Sequence, residues 1–180
     1  MFSADILHLR AIEPGDAPAL HTYLNRPELI GRRYLPNDYH PEMPLSSQQI
    51  EVLVEHWSSN TKFERTFAVV TNDSDHMIGH VRIHRWWDDH APSLDIAIDP
   101  QHWRKGFGTA ALDLLLTYLF KNTVAHSISG WIDSWNEAGL TFAEKHGFSR
   151  AGARRRAGLR DGAYYDEVCV DLLRREWKGA

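Results

Sequence analysis

Apolar and polar residues alternate over residues 6–12, in a stretch rich in aliphatics, and this pattern predicts a half-buried strand. Pro14-Gly15-Asp16 then turns the chain into a helix reaching about Asn25. Residues 27–45 hold four prolines and show no period, which predicts a long loop of the functional or mobile kind. Ser46 and Gln49 stand at capping-box spacing and open a helix to about Ser58. Alternation returns at 65–71 and 77–86, joined by the polar turn "NDSD", and again at 93–99, where Pro100 stops it. Helical spacing follows over 104–122, with Phe107, Ala111, Leu114, Leu115 and Tyr118 on one face. Residues 127–133 predict a strand, and Asn136 and Gly147 are suitable caps for a helix between them. Two strands near 148–156 and 165–173 flank the turn "RDGAY". The order predicts one α/β domain over residues 1–180, with a mixed, mostly antiparallel sheet of about seven strands.

Composition narrows the function classes. A formal charge of −4 over 180 residues gives no bulk cationic field for nucleic acid or a membrane surface. The longest apolar run, around Ala110–Phe120, is too short and interrupted to span a bilayer. Cys169 is the single cysteine, which excludes a disulfide framework and a cysteine-rich metal site. Residues 1–16 lack the charged and apolar blocks of a secretory signal, so the expected location is cytoplasmic. "HRWWDDH" at 84–90 gathers His84, Asp88, Asp89 and His90, but side chains on a strand entering a turn diverge, and no metal site is expected. "RAGARRRAGLR" at 150–160 is a local basic run, expected to be a solvated hairpin, with an acidic partner or a phosphate as the sharper alternative.

The stretch "HWRKGFGTAA", residues 102–111, carries the strongest chemical signal. A strand ends, a short glycine-bearing loop follows, and a helix starts at once. Glycines let the backbone approach a ligand closely, and the helix start leaves N–H groups free beside the positive end of its dipole. Arg104 and Lys105 add charge, so a pyrophosphate is the natural occupant. The Walker pattern G-x-x-x-x-G-K-[ST] is absent. Gly106-x-Gly108-x-x-Ala111 matches a dinucleotide fingerprint formally, with Asp133 ending the next strand. The late position in the chain, Lys105 before the first glycine, and the hairpins upstream all oppose that reading.

"IDPQHWRKGFGTAAL" resembles the acetyl-CoA loop of the GCN5-related N-acetyltransferases (GNAT), in particular the branch acting on ribosomal-protein N-termini. "WNEAGLTFAEKHGF", "LHLRAIEPGDAPAL" and "RDGAYYDEVCVDLLRREW" resemble further segments of that family in the right order. The resemblance implies a sheet with helices on both faces, splayed between the strand ending near Asp99 and the one starting near Ser127, with acetyl-CoA in the cleft. It implies that the backbone of Ala97 and Ile98 pairs with the pantetheine arm, and that Trp103, Arg104, Lys105, Gly106, Phe107, Gly108 and Thr109 form the pyrophosphate loop. Trp103 stands where the family has Gln or Arg. Asn136 is implied to lie near the pantetheine and thioester. The acceptor is a small amine or a protein N-terminus, covered by the 27–45 loop with Arg32, Arg33 and Tyr34, and the resembled branch includes homodimers.

Transfer to an amine needs a neutral nucleophile, and direct attack is favoured because Cys169 lies far from the cofactor motif. Strand parity places His80, Arg82 and His84 on one face, Ser93, Asp95, Ala97 and Asp99 on another, and Ser129, Trp131 and Asp133 on a third. If these faces line one cleft, His84, Asp95 and Asp133 relay a proton through water. The plain alternative is that they face solvent. Trp86 and Trp87 suit an acceptor wall, a dimer surface or simple packing. The family's acid positions fall on Gly139 and Ala143, and its usual basic carboxylate on Ser93, none of which can act. Thr141, Tyr164, Tyr165 or water remain as proton donors. An acyl-CoA-binding regulatory module with little turnover is therefore the rival reading.

Overall fold

Alternating Leu7 and Leu9 put two fully buried side chains on one face of a strand, and the same logic repeats across the sheet. The computed structural model describes residues 2–30, 43–59, 64–84 and 88–179. In chain order the elements are β1 (Phe2–Ser3), β2 (Leu7–Ala11), α1 (Ala17–Leu24), α2 (Ser47–Ser59), β3 (Glu64–Thr71), β4 (Met77–His84), β5 (Ser93–Ile98), α3 (Phe107–Asn122), β6 (Ser127–Asp133), α4 (Glu137–Lys145), β7 (Ser149–Arg160) and β8 (Ala163–Leu173). One eight-stranded sheet runs β1-β2-β3-β4-β5-β6-β8-β7. Every neighbouring pair is antiparallel except β5–β6.

The two-residue strand β1 is an addition to the predicted set, too short to show a period. The hairpin β7–β8 is longer than its sequence pattern suggested. Asp161 and Gly162 both take positive φ, 51° and 77°, as a two-residue hairpin turn of matching twist requires. Bulges near Arg150 and between Arg154 and Gly158 interrupt the alternation that would have revealed β7. Helix α3 starts at Phe107 rather than 104, because Arg104 and Gly106 are left-handed, at φ 59° and 86°.

The two faces of the sheet are covered unequally. Helices α3 and α4 pack on one face across β2 to β8, burying Leu112, Leu115, Leu116 and Leu119 of α3 against Leu9, Val81, Ile128 and Val170. Each such side chain contributes about 1.5–3 kcal/mol. Helices α1 and α2 cover the other face, where their core (Leu20, Tyr23, Leu53, Trp57) packs on Ala68, Val70 and Met77 and meets His80 and Arg82 of β4. On that face β6 carries Trp131 at 46% exposure. The ends of the 27–45 loop are pinned together: Asn25 donates to the Leu45 carbonyl at 2.8 Å and accepts from its amide at 2.7 Å. Among the described residues no helix is long and apolar enough to cross a membrane.

Candidate active site

Strands β5 and β6 meet at one position, Ser93 opposite Ser129, where the two hydroxyls lie 2.8 Å apart. From that apex the strands part, and the cleft opens toward Ile98. Antiparallel pairing fixes which backbone groups face it. Asp99 donates to the Ile78 carbonyl, so the pairs Ala97–His80, Asp95–Arg82 and Ser93–His84 exchange the β4–β5 hydrogen bonds. The backbone groups of Leu94, Ile96 and Ile98 therefore point away from β4, toward the cleft. This corrects the expectation for Ala97: its amide and carbonyl belong to the β4 ladder, and Ile96 with the Ile98 amide offers the free edge. Trp103 has a separate task, since its indole N–H donates to the Ile98 carbonyl at 2.7 Å. It latches the loop to the end of β5.

The loop then rises into α3. Arg104 and Lys105 are exposed, and the amides of Phe107, Gly108 and Thr109 open the helix without intrahelical acceptors. Gly106 needs its glycine, because φ 86° strains any side chain there. His102 packs edge-on to Phe107 at 5.8 Å, and the Thr109 hydroxyl meets His146 Nε2 at 3.2 Å, joining α3 to the end of α4. An open strand edge leading to an uncapped, cation-flanked helix start fits an elongated ligand ending in a pyrophosphate.

Across the cleft, Asn136 caps α4, its Oδ1 accepting from the Gly139 amide at 3.2 Å. A Cβ at Gly139 would lie 2.7 Å from Asn136 Nδ2, so the cap explains the glycine. Ala143 is buried in the main core, with no hydroxyl to offer. Thr141 is exposed on α4. Tyr165 lays its hydroxyl over Gly158 of β7, and Tyr164 is 61% exposed under the Arg156 guanidinium at 4.2 Å. Gly139 and Ala143 carry no group that can donate a proton.

His80, Arg82 and His84 are buried, not solvent-facing. His80 bonds Tyr23 through Nδ1 at 2.8 Å, and burial drives its imidazole down to about 3, so it is neutral. Arg82, 1% exposed, binds Glu64 at 2.8 Å and lies 3.7 Å from Asp95, with Trp57 stacked at 4.9 Å. His84 sits between the same two carboxylates, bonded to Asp95 and 3.5 Å from Glu64. Burial pushes the His84 imidazole down, but its bonds to Asp95 and Glu64 outweigh that and raise it above its ordinary value. The bond from His84, with Arg82 alongside, holds Glu64 down at about 2. An imidazole favoured as the cation between two carboxylates is a poor base for a substrate, and His84 serves here as the charge anchor beside the apex. Glu64 escaped the sequence reading because its partners depend on the β3–β4 register. So did Arg26, whose 2.6 Å ion pair with Asp99 ties the start of the 27–45 loop to the end of β5.

Asp133 stands apart from that network, across the splay, opposite Glu167 of β8. Burial, with Glu167 beside it, pushes its carboxyl up to about 6, while Arg160 and Arg154 pull part of the way back. Cys169 lies on the same face of β8 and is half-buried. Burial and the carboxylates of Asp171 and Glu167 raise its thiol, disfavouring the thiolate. In the basic run, Arg150 pairs with Glu144 at 2.8 Å and Arg154 with Glu167 at 2.6 Å. His90 pairs with Asp88 at 2.9 Å, not with His84. Arg32, Arg33, Tyr34, Trp86 and Trp87 lie outside the described residues.

Known proteins share this geometry. An acetyltransferase (GNAT) domain profile matches residues 7–149. An uncharacterised N-acetyltransferase of Bacillus subtilis, YoaA, is 25% identical over 97% of both chains. A second from the same organism, YnaD, is 25% identical over 62% of this chain and 65% of its own length. Among solved structures, a GNAT-family acetyltransferase from Bacillus anthracis superposes with TM-score 0.82 over 97% of this chain and 99% of its own, at 22% identity. The Vibrio cholerae spermidine N-acetyltransferase in complex with CoA and spermine gives TM-score 0.77 at 25% identity, over 94% and 96% of the two chains. The parted β5 and β6, with α3 rising from the end of β5, thus carry their family's signature, and this protein is a member of the GNAT acetyltransferases, an acyltransferase.

Proposed function

We propose that the protein transfers an acetyl group from acetyl-CoA to a primary amine by direct attack, with Asp133 as the general base. The observation that supports this most is the splay itself: one pairing position, a free backbone edge at Ile96 and the Ile98 amide, and an open α3 start follow one another along β5. Coenzyme A, when bound, presents the acetyl group as an activated thioester. In this reading Ile96 and Ile98 hold the pantetheine by their backbones, the amides of Gly106 through Thr109 hold the pyrophosphate, and Asn136 closes the cleft from the α4 side.

A carboxyl raised to about 6 is ionised at neutral pH yet accepts a proton far more readily than one near 3.8. Asp133 therefore takes a proton from the acceptor's ammonium, directly or through one water, so that the neutral amine is the attacking species. An α-amine, with its pKa near ~8, needs less help than a lysine near ~10.4. Cys169, favoured as the neutral thiol, offers no acyl-enzyme route. Positions 139 and 143 offer no proton donor, and in this reading water protonates the leaving group. In this reading the 27–45 segment covers the acceptor.

Acetyl-CoA should raise the melting temperature by several degrees. Gly108→Trp should abolish that rise, because a Cβ at Gly108 already lies 3.6 Å from the Phe142 ring and an indole must block the helix start. An unchanged melting curve for the parent protein at saturating acetyl-CoA would remove the cofactor assignment. Thermal stabilisation without thiol release from any amine would instead favour the rival binding module.

A further inference from the structure

Beyond the end of β6 the chain forms a groove of about 540 Å³ between Ser134, Trp135, Arg160, Tyr164, Tyr165 and Asp166. Its floor is fixed by hydrogen bonds. The Ser134 amide donates to the Asp166 carbonyl at 2.8 Å, the Asp166 amide donates to Ser134 Oγ at 3.1 Å, and the Arg156 amide donates to the Asp166 carboxylate at 2.8 Å. Trp135 and Tyr165 meet edge to face at 6.3 Å.

Two guanidiniums occupy the aromatic walls. Arg160 lies 3.9 Å over Trp135, and Arg156 lies 4.2 Å over Tyr164. Further cations entering the groove meet faces already taken by positive charge. Two acidic residues, Asp161 and Asp166, also line the groove but compensate little: one Asp166 oxygen accepts from the Arg156 amide, and Asp161, 3.6 Å from Arg160, is 92% exposed and screened by water. A guanidinium over an aromatic ring keeps N–H donors for a carboxylate. The groove also adjoins Asp133, which Ser134 and Trp135 follow directly in the chain, and Arg160 is near enough to act on that carboxyl.

We propose that this groove is an anion subsite for the acceptor, with Arg160 as its recognition residue. The acceptor is then a primary amine that also bears a carboxylate, such as an amino acid, its amine toward Asp133 and its carboxylate on Arg160. The subsite rests on the transferase reading above and adds a substrate class to it, distinct from the polyamines.

Calorimetric titration of the CoA-saturated protein tests this without requiring turnover. Phenylalanine is compared with phenethylamine, and 4-aminobutyrate with butylamine, so that each pair differs in its carboxylate. At least one amino acid should bind tenfold or more tightly than its partner. Arg160→Gln should erase that difference, Arg160→Lys should restore part of it, and Arg150→Gln, outside the groove, should leave it intact. Equal affinities within both pairs, or tighter binding of spermidine than of either amino acid, would overturn the subsite. Thiol release measured alongside separates the two claims. Carboxylate-dependent binding without release keeps the subsite and removes the transferase reading, while release from plain alkylamines with no carboxylate preference does the reverse.

Discussion

Glu64 and Asp133 occupy the same face of one sheet, three strands apart, and both are only partly exposed, yet the first is held near 2 and the second near 6. Burial raises both carboxyls. The difference comes from the neighbours that the strand register supplies. Glu64 faces His84 directly and Arg82 on the diagonal, two donors on β4. Asp133 faces another carboxylate, Glu167, whose own 2.6 Å partner is Arg154. On the β3–β5 side charge is neutralised under α2 and Trp57, which builds a rigid wall. On the β6–β8 side of this face none of the described helices packs on the sheet, and one carboxylate is left raised to about 6. The splay separates a neutralised half from the half that holds the proposed base.

The largest expected effect breaks the neutralised half. Arg82→Met leaves Glu64, Asp95 and His84 without their buried guanidinium and should cost about 3–5 kcal/mol in denaturant unfolding, as removal of one member of a buried ion network does. A loss below ~1 kcal/mol would show that the wall does not depend on it. Next comes the half that holds the proposed base. Asp133→Asn should lower kcat by about a hundredfold or more, the usual contribution of a positioned base, with KM for acetyl-CoA unchanged. The parent rate should fall as pH drops through about 6, and the variant should lose that limb. A pH profile identical in the two proteins would exclude Asp133 as the base.

The same variant should sharpen the comparison through stability. Between the ordinary value of 3.8 and about 6, the native protein binds more proton at Asp133 than the unfolded chain does. Stability therefore falls as pH rises through that window. Asp133→Asn should stabilise the fold above pH 6 by about 1 kcal/mol, after discounting for partial exposure, and not at all below pH 4. The smallest effect is expected from Glu167→Gln. Removing the like charge opposite Asp133 and releasing Arg154 should move the pH limb of kcat to lower pH by under one unit, with stability nearly unchanged. A limb that moves upward would mean that Glu167 is not the charge that raises Asp133.

The element order and the glycine-bearing loop before α3 were legible in the chain because their signals are local. Left-handed turns demand glycine at Gly106 within a few residues of the helix start, Asn136 marks the start of α4, and alternation marks β2, β3 and β5. Hairpin β7–β8 was underestimated because bulges break its alternation, although the Asp161-Gly162 turn was recognised. The candidate relay was legible only in part. Parity placed His84 and Asp95 on one face correctly, but the backbone groups lining the cleft shift from Ala97 to Ile96 once the β4–β5 pairing is known.

The sequence by itself determined the strands, the caps and the glycine-bearing loop, since each follows from φ/ψ preferences and short-range periodicity. Only the tertiary structure decided which carboxylate is neutralised and which is poised. That outcome depends on register, because Glu64 meets His84 and Arg82, and Asp133 meets Glu167, only when strands distant in the chain align residue to residue. Electrostatic interaction falls steeply with distance and with solvent screening, so a shift of one position would turn these side chains to the opposite face and remove their partners.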